Sequence, residues 1–293
     1  NVGYVFIILS LTITFAGFTS TSHAIAKEVS RTHPPLVMGI FPRRNAKVTT
    51  RLFRPMAKYL SVVLKREVRL MTSKNFKTFW KGVEESKYDI VHYNQYHYML
   101  SNKFGYKVIL KNKEMGETTI AGSLIVRRDS PIKNISDLKG REVVFGGGPK
   151  AMQSYIVATY LLREGGLKKG DYIESFAKNP PNAILAAFYR KSVAAGAGDK
   201  VLRLKVVKNQ IDDNAMRYLA VGPQLPHLPW AVSNKLDKDL ATLIQSTLVN
   251  LVDTENGRKI LKKARLDGLV KATDEEFDEH RKIVKKVYPD YNL

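Results

Sequence analysis

Short apolar runs alternate with segments of helical periodicity along this chain, and this alternation limits its possible folds more than any other feature. The runs 36–41, 68–71 and 88–91 have the length of buried strands, and apolar residues at helical spacing fill 48–64. Residues 237–287 predict a purely helical tail, packed on the first part of the chain. Strands that alternate with helices usually pair in parallel. The pattern therefore predicts an α/β fold with mostly parallel sheets flanked by helices.

The length of the chain divides this pattern into two parts. With 293 residues the chain is too long for one small core. The breaks Ser130-Pro131 and Gly222-Pro223 lie on either side of a second set of alternating elements. We therefore expect two lobes joined by two crossings, the first formed by 30–126 and 230–293 and the second by 127–229.

The first 24 residues contain no Asp, Glu, Lys or Arg, and a hydrophobic block within them is followed by small residues. Small side chains at the −3 and −1 positions of a cut after Ala24 or Ala26 fit a signal peptidase. The pattern predicts a signal peptide over 1–26. The alternative is an uncleaved membrane anchor, which would need about 20 apolar residues without the interruptions at Ser10 and Thr12. Export of a chain without cysteine favours a bacterial periplasm.

Basic residues greatly outnumber acidic ones. The 48 Lys and Arg against 27 Asp and Glu give a net charge of +21. This excess favours anionic partners, whether small oxyanions, nucleic acid or membrane headgroups. Export and the lack of a nucleic-acid-binding signature argue against nucleic acid, so the basic runs 107–113 and 262–265 are expected to be solvated surface. The absence of cysteine excludes disulfides, thiolate metal sites and a thiol nucleophile.

A glycine-rich turn between a predicted strand and a predicted helix is the most specific local motif. Glycines 146–148 follow the strand, and the helix is expected over 150–163. The amino end of a helix offers free N–H groups and a partial positive charge, which together bind oxyanions. The alternative is a tight turn without a ligand. The residues expected to contact an anion here are Gly148, Lys150, Ala151, Gln153 and Ser154.

Polar side chains also follow two other predicted strands. His92 and Tyr93 end the strand at 88–91, and Asp199 ends a run of small residues. Ligands of open α/β sheets bind at such carboxyl ends. Each residue could instead be packed or paired locally, and Asp199 could cap a helix. A further alternative is a transition-metal site formed by His92, His97 and His227.

Six segments together follow the order and spacing of a known family: 53–60, 88–93, 123–126 with 129–132, 135–140, 145–162 and 196–199. Over residues 36–270 the chain resembles the periplasmic substrate-binding proteins of phosphate, phosphite and phosphonate ABC transporters. The resemblance implies a two-lobed periplasmic binding protein of type 2, which closes around its ligand by a hinge and catalyses no reaction.

The resemblance also implies particular ligand contacts. Tyr93 matches a ligand-contacting tyrosine of the family, and Asp199 matches an acidic residue late in the second lobe. Phe76 stands where the family usually has a tyrosine, and 151–154 replaces a Ser-Thr-Ser-Gly anion cradle. His92 and His227 are expected in a divergent pocket.

We therefore expect a monomeric periplasmic protein that captures a phosphate- or phosphonate-like oxyanion and delivers it to an ABC permease, without a cofactor. Two alternatives on the same fold are a ligand-sensing accessory protein for a membrane sensor kinase and a metal or metal-chelate binding protein. A secreted hydrolase is disfavoured, because the chain has no Gly-x-Ser-x-Gly or His-Glu-x-x-His motif.

Overall fold

The computed structural model describes residues 33–290, so the predicted signal peptide lies outside the described residues. The strands are β1 (Leu36–Ile40), β2 (Val68–Thr72), β3 (Ile90–His92), β4 (Tyr106–Lys113), β5 (Thr119–Ile120), β6 (Gly122–Arg127), β7 (Glu142–Phe145), β8 (Ile173–Phe176), β9 (Ala194–Gly198), β10 (Met216–Val221), β11 (Leu225–Pro226), β12 (Pro229–Ser233) and β13 (Gly268–Lys271). The helices are α1 (Ala46–Val63), α2 (Phe76–Glu84), α3 (Gln95–Ser101), α4 (Ala158–Glu164), α5 (Pro180–Tyr189), α6 (Lys205–Lys208), α7 (Lys238–Val249), α8 (Glu255–Ala264) and α9 (Asp278–Val287), and a π-helix (Met152–Val157) precedes α4. Within the described residues, no helix is long and apolar enough to cross a membrane.

The first sheet has the strand order β13-β4-β12-β3-β1-β2. Strand β1 pairs in parallel with β2 and β3, whereas β12 is antiparallel to both β3 and β4. Strand β13 pairs with β4 and interrupts the tail that was predicted to be purely helical. The prediction was wrong there because the exposed edge of β4 offers free backbone groups, and the short segment after Gly268 satisfies them.

The second sheet has the order β10-β6-β9-β7-β8. Strand β7 is parallel to β8 and β9, whereas β6 is antiparallel to β9 and β10. Both sheets are therefore mixed, and the prediction of mostly parallel sheets was wrong. The physical reason is the same in each sheet: β12 and β6 enter their sheets directly from the crossings and run against their neighbours.

The chain passes between the sheets twice, at β5 and at β11, and these two short strands pair with each other. The lobe boundaries expected from the sequence stay a prediction. The boundary expected at 126/127 would have to move to before β6. That strand was assigned almost entirely to the first lobe, but it pairs with β9 and β10 in the second sheet.

One core cluster connects the two sheets. It includes Tyr93 beside the first sheet, Phe145 in the second sheet, and Phe277 and Val284 at the C-terminal helix α9. Helix α9 contacts α3 as well as the π-helix and α4. The tail therefore does not pack on the first part of the chain alone, as predicted, but bridges both parts through a shared apolar core.

Candidate functional site

The carboxyl ends of the central parallel strands of the two sheets face each other. In the first sheet β1 ends at Ile40 and β3 at His92, and in the second β7 ends at Phe145. A hydrogen bond of 3.2 Å from Asn94 Nδ2 to the Lys150 carbonyl joins the segment after β3 to the loop after β7. Asn94 is held in place because its Oδ1 caps α3 by accepting the His97 N–H. The space between these strand ends is the candidate binding cleft.

The glycine loop after β7 is fixed by close packing. A Cβ on Gly146 would lie 2.4 Å from the Cα of Pro180, and Gly147 has a φ of +149°. Both positions therefore favour glycine. Gly148 and Lys150 are exposed, and a Cβ on Gly148 would meet no atom within 4 Å. The loop thus leaves an open surface beside the next helix.

The helix after this loop differs from the predicted α-helix over 150–163. It begins with a π-turn, because the N–H of Ile156 bonds to the Ala151 carbonyl at 3.1 Å, five residues back. Such wide turns are frequent at functional sites. Among the described residues, the N–H groups of 152–154 have no backbone acceptor. The predicted set of free backbone donors is therefore present, although in a π-helix.

The side chains on this turn supply unequal donors. Gln153 is 9% exposed, and within the described residues neither its Oε1 nor its Nε2 has a hydrogen-bond partner. Ser154 is buried, and its hydroxyl donates to the Gly146 carbonyl at 3.2 Å. Ala151 is half-buried and offers no side-chain donor. Gln153 is therefore the side chain here whose hydrogen-bonding capacity is unused.

Tyr93 does not reach the cleft in this structure. Its side chain is fully buried, and its hydroxyl lies 2.7 Å from Ser101 Oγ. The ring packs against Phe79, Tyr98 and Tyr106, and burial raises the pKa of its hydroxyl far above the usual value. Successive side chains at a strand end point to opposite sides, so His92 and Tyr93 cannot both face the same ligand.

Asp199 lies where the two crossings meet. Its Oδ1 accepts the Ala121 N–H at 3.1 Å, and its Oδ2 accepts Gln224 Nε2 at 2.9 Å. Lys200 Nζ lies 3.3 Å from the same Oδ2. The carboxylate thus ties the first crossing to the second, a role that the sequence did not indicate.

A polar cluster that the sequence did not predict surrounds Glu114, just after β4. Asn112 Nδ2 donates to its Oε1 at 2.8 Å, Arg43 Nη1 lies 3.7 Å from that oxygen, and His227 Nε2 lies 4.0 Å from Oε2. Burial alone would raise the pKa of Glu114, but Arg43, His227 and the Asn112 donor outweigh it, and the pKa is lowered. Glu114 is therefore a carboxylate held among donors.

Four histidines are buried and neutral. Burial lowers the pKa of His92, His97 and His280 to about 3 and that of His227 to about 4. We call His92, His97, His227 and His280 the four buried histidines.

The three histidines of the alternative metal site are committed to different partners. His92 Nδ1 donates to the Pro229 carbonyl at 3.0 Å, and its ring stacks on Trp230. His97 Nδ1 donates to Asn94 Oδ1 at 2.8 Å, while His227 Nδ1 accepts the N–H of the next residue. No group of three or more His, Asp or Glu side chains within residues 33–290 could hold a metal. The structure does not bring these histidines together.

Phe76 forms part of the wall on the His97 side of the cleft. It begins α2 and is 40% exposed. Its ring stacks on His97 with a centroid distance of 5.4 Å and lies 6.1 Å from Phe41. An exposed ring at this position offers an apolar surface without the hydroxyl that a tyrosine would add.

Comparison with known proteins identifies this arrangement. A sequence model of the family described as ABC transporter, phosphonate, periplasmic substrate-binding protein matches residues 38–277. That match covers most of the chain. The chain belongs to this family.

Solved structures show the same fold. A binding protein component of an ABC phosphonate transporter from Pseudomonas aeruginosa is 15% identical, with 89% of this chain and 90% of that chain covered and a TM-score of 0.70. A methylphosphonate-bound binding protein from Prochlorococcus marinus is 17% identical, with 86% and 98% covered and a TM-score of 0.73. An ATP-bound protein from Xanthomonas citri is 14% identical, with 89% and 100% covered and a TM-score of 0.75.

Membership of the phosphonate-binding family confirms the main functional expectation. The protein is a periplasmic substrate-binding component of the ABC transporter type and not an enzyme. Its ligand is small, and its partner is a permease. The expected two-lobed architecture is also confirmed, because the structures that it matches are solute-binding proteins of that kind.

Sequence reasoning overlooked several cleft residues in this family member. Arg43 follows the end of β1, Glu114 follows the end of β4, and Asn94 comes two residues after β3. The rule that had singled out His92 also applied to these positions, because each comes just after a strand that ends at the same sheet edge. No local sequence pattern could predict that Glu114 lies beside His227, because 113 positions separate the two residues.

Proposed function

We propose that this protein binds a phosphate- or phosphonate-like oxyanion at the amino end of the π-helix, in the cleft between the two sheets. On the second sheet, the proposed contacts are the N–H groups of residues 152–154, Gly148, Lys150, Ala151, Gln153, Ser154 and Asp199, which follows β9. Beside the first sheet they are Phe76, His92 and His227. Tyr93 is left out because its hydroxyl is buried against Ser101.

The unpaired amide of Gln153 carries the proposal. A buried amide without a partner costs about 1–3 kcal/mol, so a chain keeps one at a ligand site when the ligand supplies the missing partner. Nε2 is a donor, and an oxyanion is an acceptor. The adjacent N–H groups of residues 152–154 also lack acceptors within the described residues. Together with Gln153 Nε2 they give four hydrogen-bond donors that one anion could accept at this turn.

Charge supports an anion as the ligand. Arg43 lies beside the cleft, Lys150 lies on the glycine loop, and Lys200 follows Asp199. The chain as a whole carries +21, which would attract an anion from a distance. Asp199 and Glu114 each have cationic or N–H partners, so neither is a bare negative charge facing the ligand.

The remaining expectations complete the proposal. We propose that residues 1–26 are a signal peptide removed on export, that residues 30–126 plus 230–293 and 127–229 form the two lobes with β6 moved to the second, and that the protein is a monomer. Delivery to a permease is the role of the family. Use of the same fold to signal to a sensor kinase would require a kinase that binds the ligand-loaded form, which a pull-down with and without ligand would detect.

Isothermal titration with methylphosphonate, phosphate, sulfate and ATP tests the proposal. We expect methylphosphonate or phosphate to bind with a stoichiometry of one and to raise the melting temperature, because a ligand of the folded state stabilises it. Sulfate measures selectivity for a protonatable oxyanion, and ATP measures whether the cleft accepts a large ligand. Absence of binding by all four anions would refute the proposed site.

A further inference from the structure

A second positive surface lies outside the cleft. Residues 29–66 contain no Asp or Glu but nine Lys and Arg. Most of this segment is the strand β1 and the long helix α1, which covers the first sheet. Arg43 lies beside the cleft in the loop between β1 and α1, whereas the outer face of α1 supplies none of the proposed ligand contacts.

Four cations form a continuous row on that face. Lys47, Arg51, Arg54 and Lys58 follow one another at intervals of four, three and four residues, which places them on one side of a helix. All four are exposed, and none forms an ion pair with any of the described residues. We call these four residues the basic stripe.

The basic stripe borders an open groove of about 570 Å³, which also includes Val48, Thr50 and Pro55. Other cations lie near its start. Burial together with the neighbouring Arg43 and Arg265 lowers the pKa of Arg44 to about 10, so like charges crowd this end of α1 without full compensation. The groove therefore has a strongly positive surface.

We propose that the basic stripe binds the anionic headgroups of a lipid bilayer and holds this binding protein against the membrane that contains its permease. A bilayer requires only a dense set of cations, each of which strengthens adsorption independently. The stripe runs for about 16 Å along the helix axis, at 1.5 Å per residue. It can therefore contact several headgroups at once.

A protein partner fits this surface less well. Cores of protein interfaces depend on aromatic or aliphatic anchors. Among the described residues of α1, Val62 is the one large apolar side chain that is more than half exposed, at 77%, and it lies beyond the end of the stripe. One valine does not form such a core, so charge is the feature that a partner would recognise.

Vesicle co-sedimentation tests the proposal, with the full chain and phosphatidylcholine vesicles with or without phosphatidylglycerol. Pure phosphatidylcholine measures any adsorption through the uncharged segment 1–24, and the difference between the two lipids measures the charge effect. The variant replaces Lys47, Arg51, Arg54 and Lys58 by Gln. Each cation near an anionic surface contributes about fivefold to partitioning, so loss of all four could reduce phosphatidylglycerol-dependent binding by up to ~600-fold. We expect a loss of at least ~25-fold, the effect of two cations. High salt should abolish the same component.

The matched control removes four other exposed cations that form no ion pair with described residues: Lys133, Lys139, Lys168 and Lys178, each replaced by Gln. Its net charge equals that of the stripe variant, and we expect it to bind vesicles almost as well as the parent. Equal loss in both variants would show that total charge alone matters and would overturn the proposal. Failure of the parent to prefer phosphatidylglycerol would also overturn it.

Two further measurements separate this proposal from the proposed ligand site. Circular dichroism and thermal melting should show that the stripe variant is folded, because only exposed side chains have been changed. Methylphosphonate titration of the stripe variant should match the parent, since the stripe lies outside the cleft. Reduced vesicle binding in a misfolded variant would not count as support, and Arg51→Gln with Arg54→Gln alone would then provide the test, with an intermediate loss expected.

Discussion

Replacement of Gln153 by Met should make the ligand-free protein more stable and at the same time weaken ligand binding. Methionine has nearly the shape of glutamine but no polar group that requires a partner. Both amide atoms of Gln153 are buried without a partner in residues 33–290, and a buried amide left without a partner costs about 1–3 kcal/mol in all. Their removal should therefore increase the free energy of unfolding by about 1–2 kcal/mol, or a few °C in melting temperature.

The effect on binding has the opposite sign. In the proposed complex Nε2 donates to a charged oxygen, and a hydrogen bond to a charged group contributes about 1.5–3 kcal/mol. Its loss should raise the Kd for the oxyanion about 10- to 150-fold. Differential scanning calorimetry of the ligand-free protein and isothermal titration with methylphosphonate measure the two effects on the same sample.

His280→Leu is the matched control for this pair of effects. The ring nitrogens of His280 are also buried without a partner among the described residues, but the residue lies on α9 rather than on the glycine loop. We expect this variant to gain stability without a change in Kd. The reasoning about Gln153 would be refuted if Gln153→Met were less stable than the parent, or if its Kd were unchanged.

Three other outcomes follow from the structure. Burial lowers the pKa of the four buried histidines to about 3–4, against about 6.5 in the unfolded chain, so unfolding takes up protons. Stability should therefore decrease as pH falls below about 6.5, by roughly 1 kcal/mol per histidine at pH 5.5, and urea unfolding that gives the same stability at pH 7.5 and 5.5 would contradict this. Gly146→Ala should cost about 1–3 kcal/mol because its Cβ would overlap Pro180, whereas Gly148→Ala should leave the melting temperature unchanged, and equal effects would count against this packing. Tyr93→Phe should lose about 1 kcal/mol of stability with the Ser101 hydrogen bond but leave Kd unchanged, and a weaker Kd would return Tyr93 to the ligand site.

The sequence predicted the elements of this fold better than their arrangement. Strands such as β1, β3 and β7 were found because short apolar runs depend on local composition. The glycine loop was found because Gly147 has a φ of +149°, a local requirement that other residues meet poorly. The sheets were expected to be mostly parallel because the pattern does not show which strand crosses from the other sheet.

The candidate site likewise has features that the sequence could predict and features that it could not. Donors on the glycine loop could be predicted, since a strand, a turn and a helix start that adjoin in sequence also adjoin in space. The side to which the Tyr93 side chain points could not be predicted. Side chains alternate along β3, but the alternation does not show which side faces the core until the helices pack against the sheet.

Only the tertiary structure decided which distant residues meet. Glu114 lies beside Arg43 and His227, and Asp199 ties Ala121 to Gln224, although no local pattern of these residues indicates which partners they meet. Their proximity results from strand order and from the crossings, which depend on burial of apolar surface over the whole molecule. The identity of a side chain is local information, whereas its neighbours are a property of the complete packing.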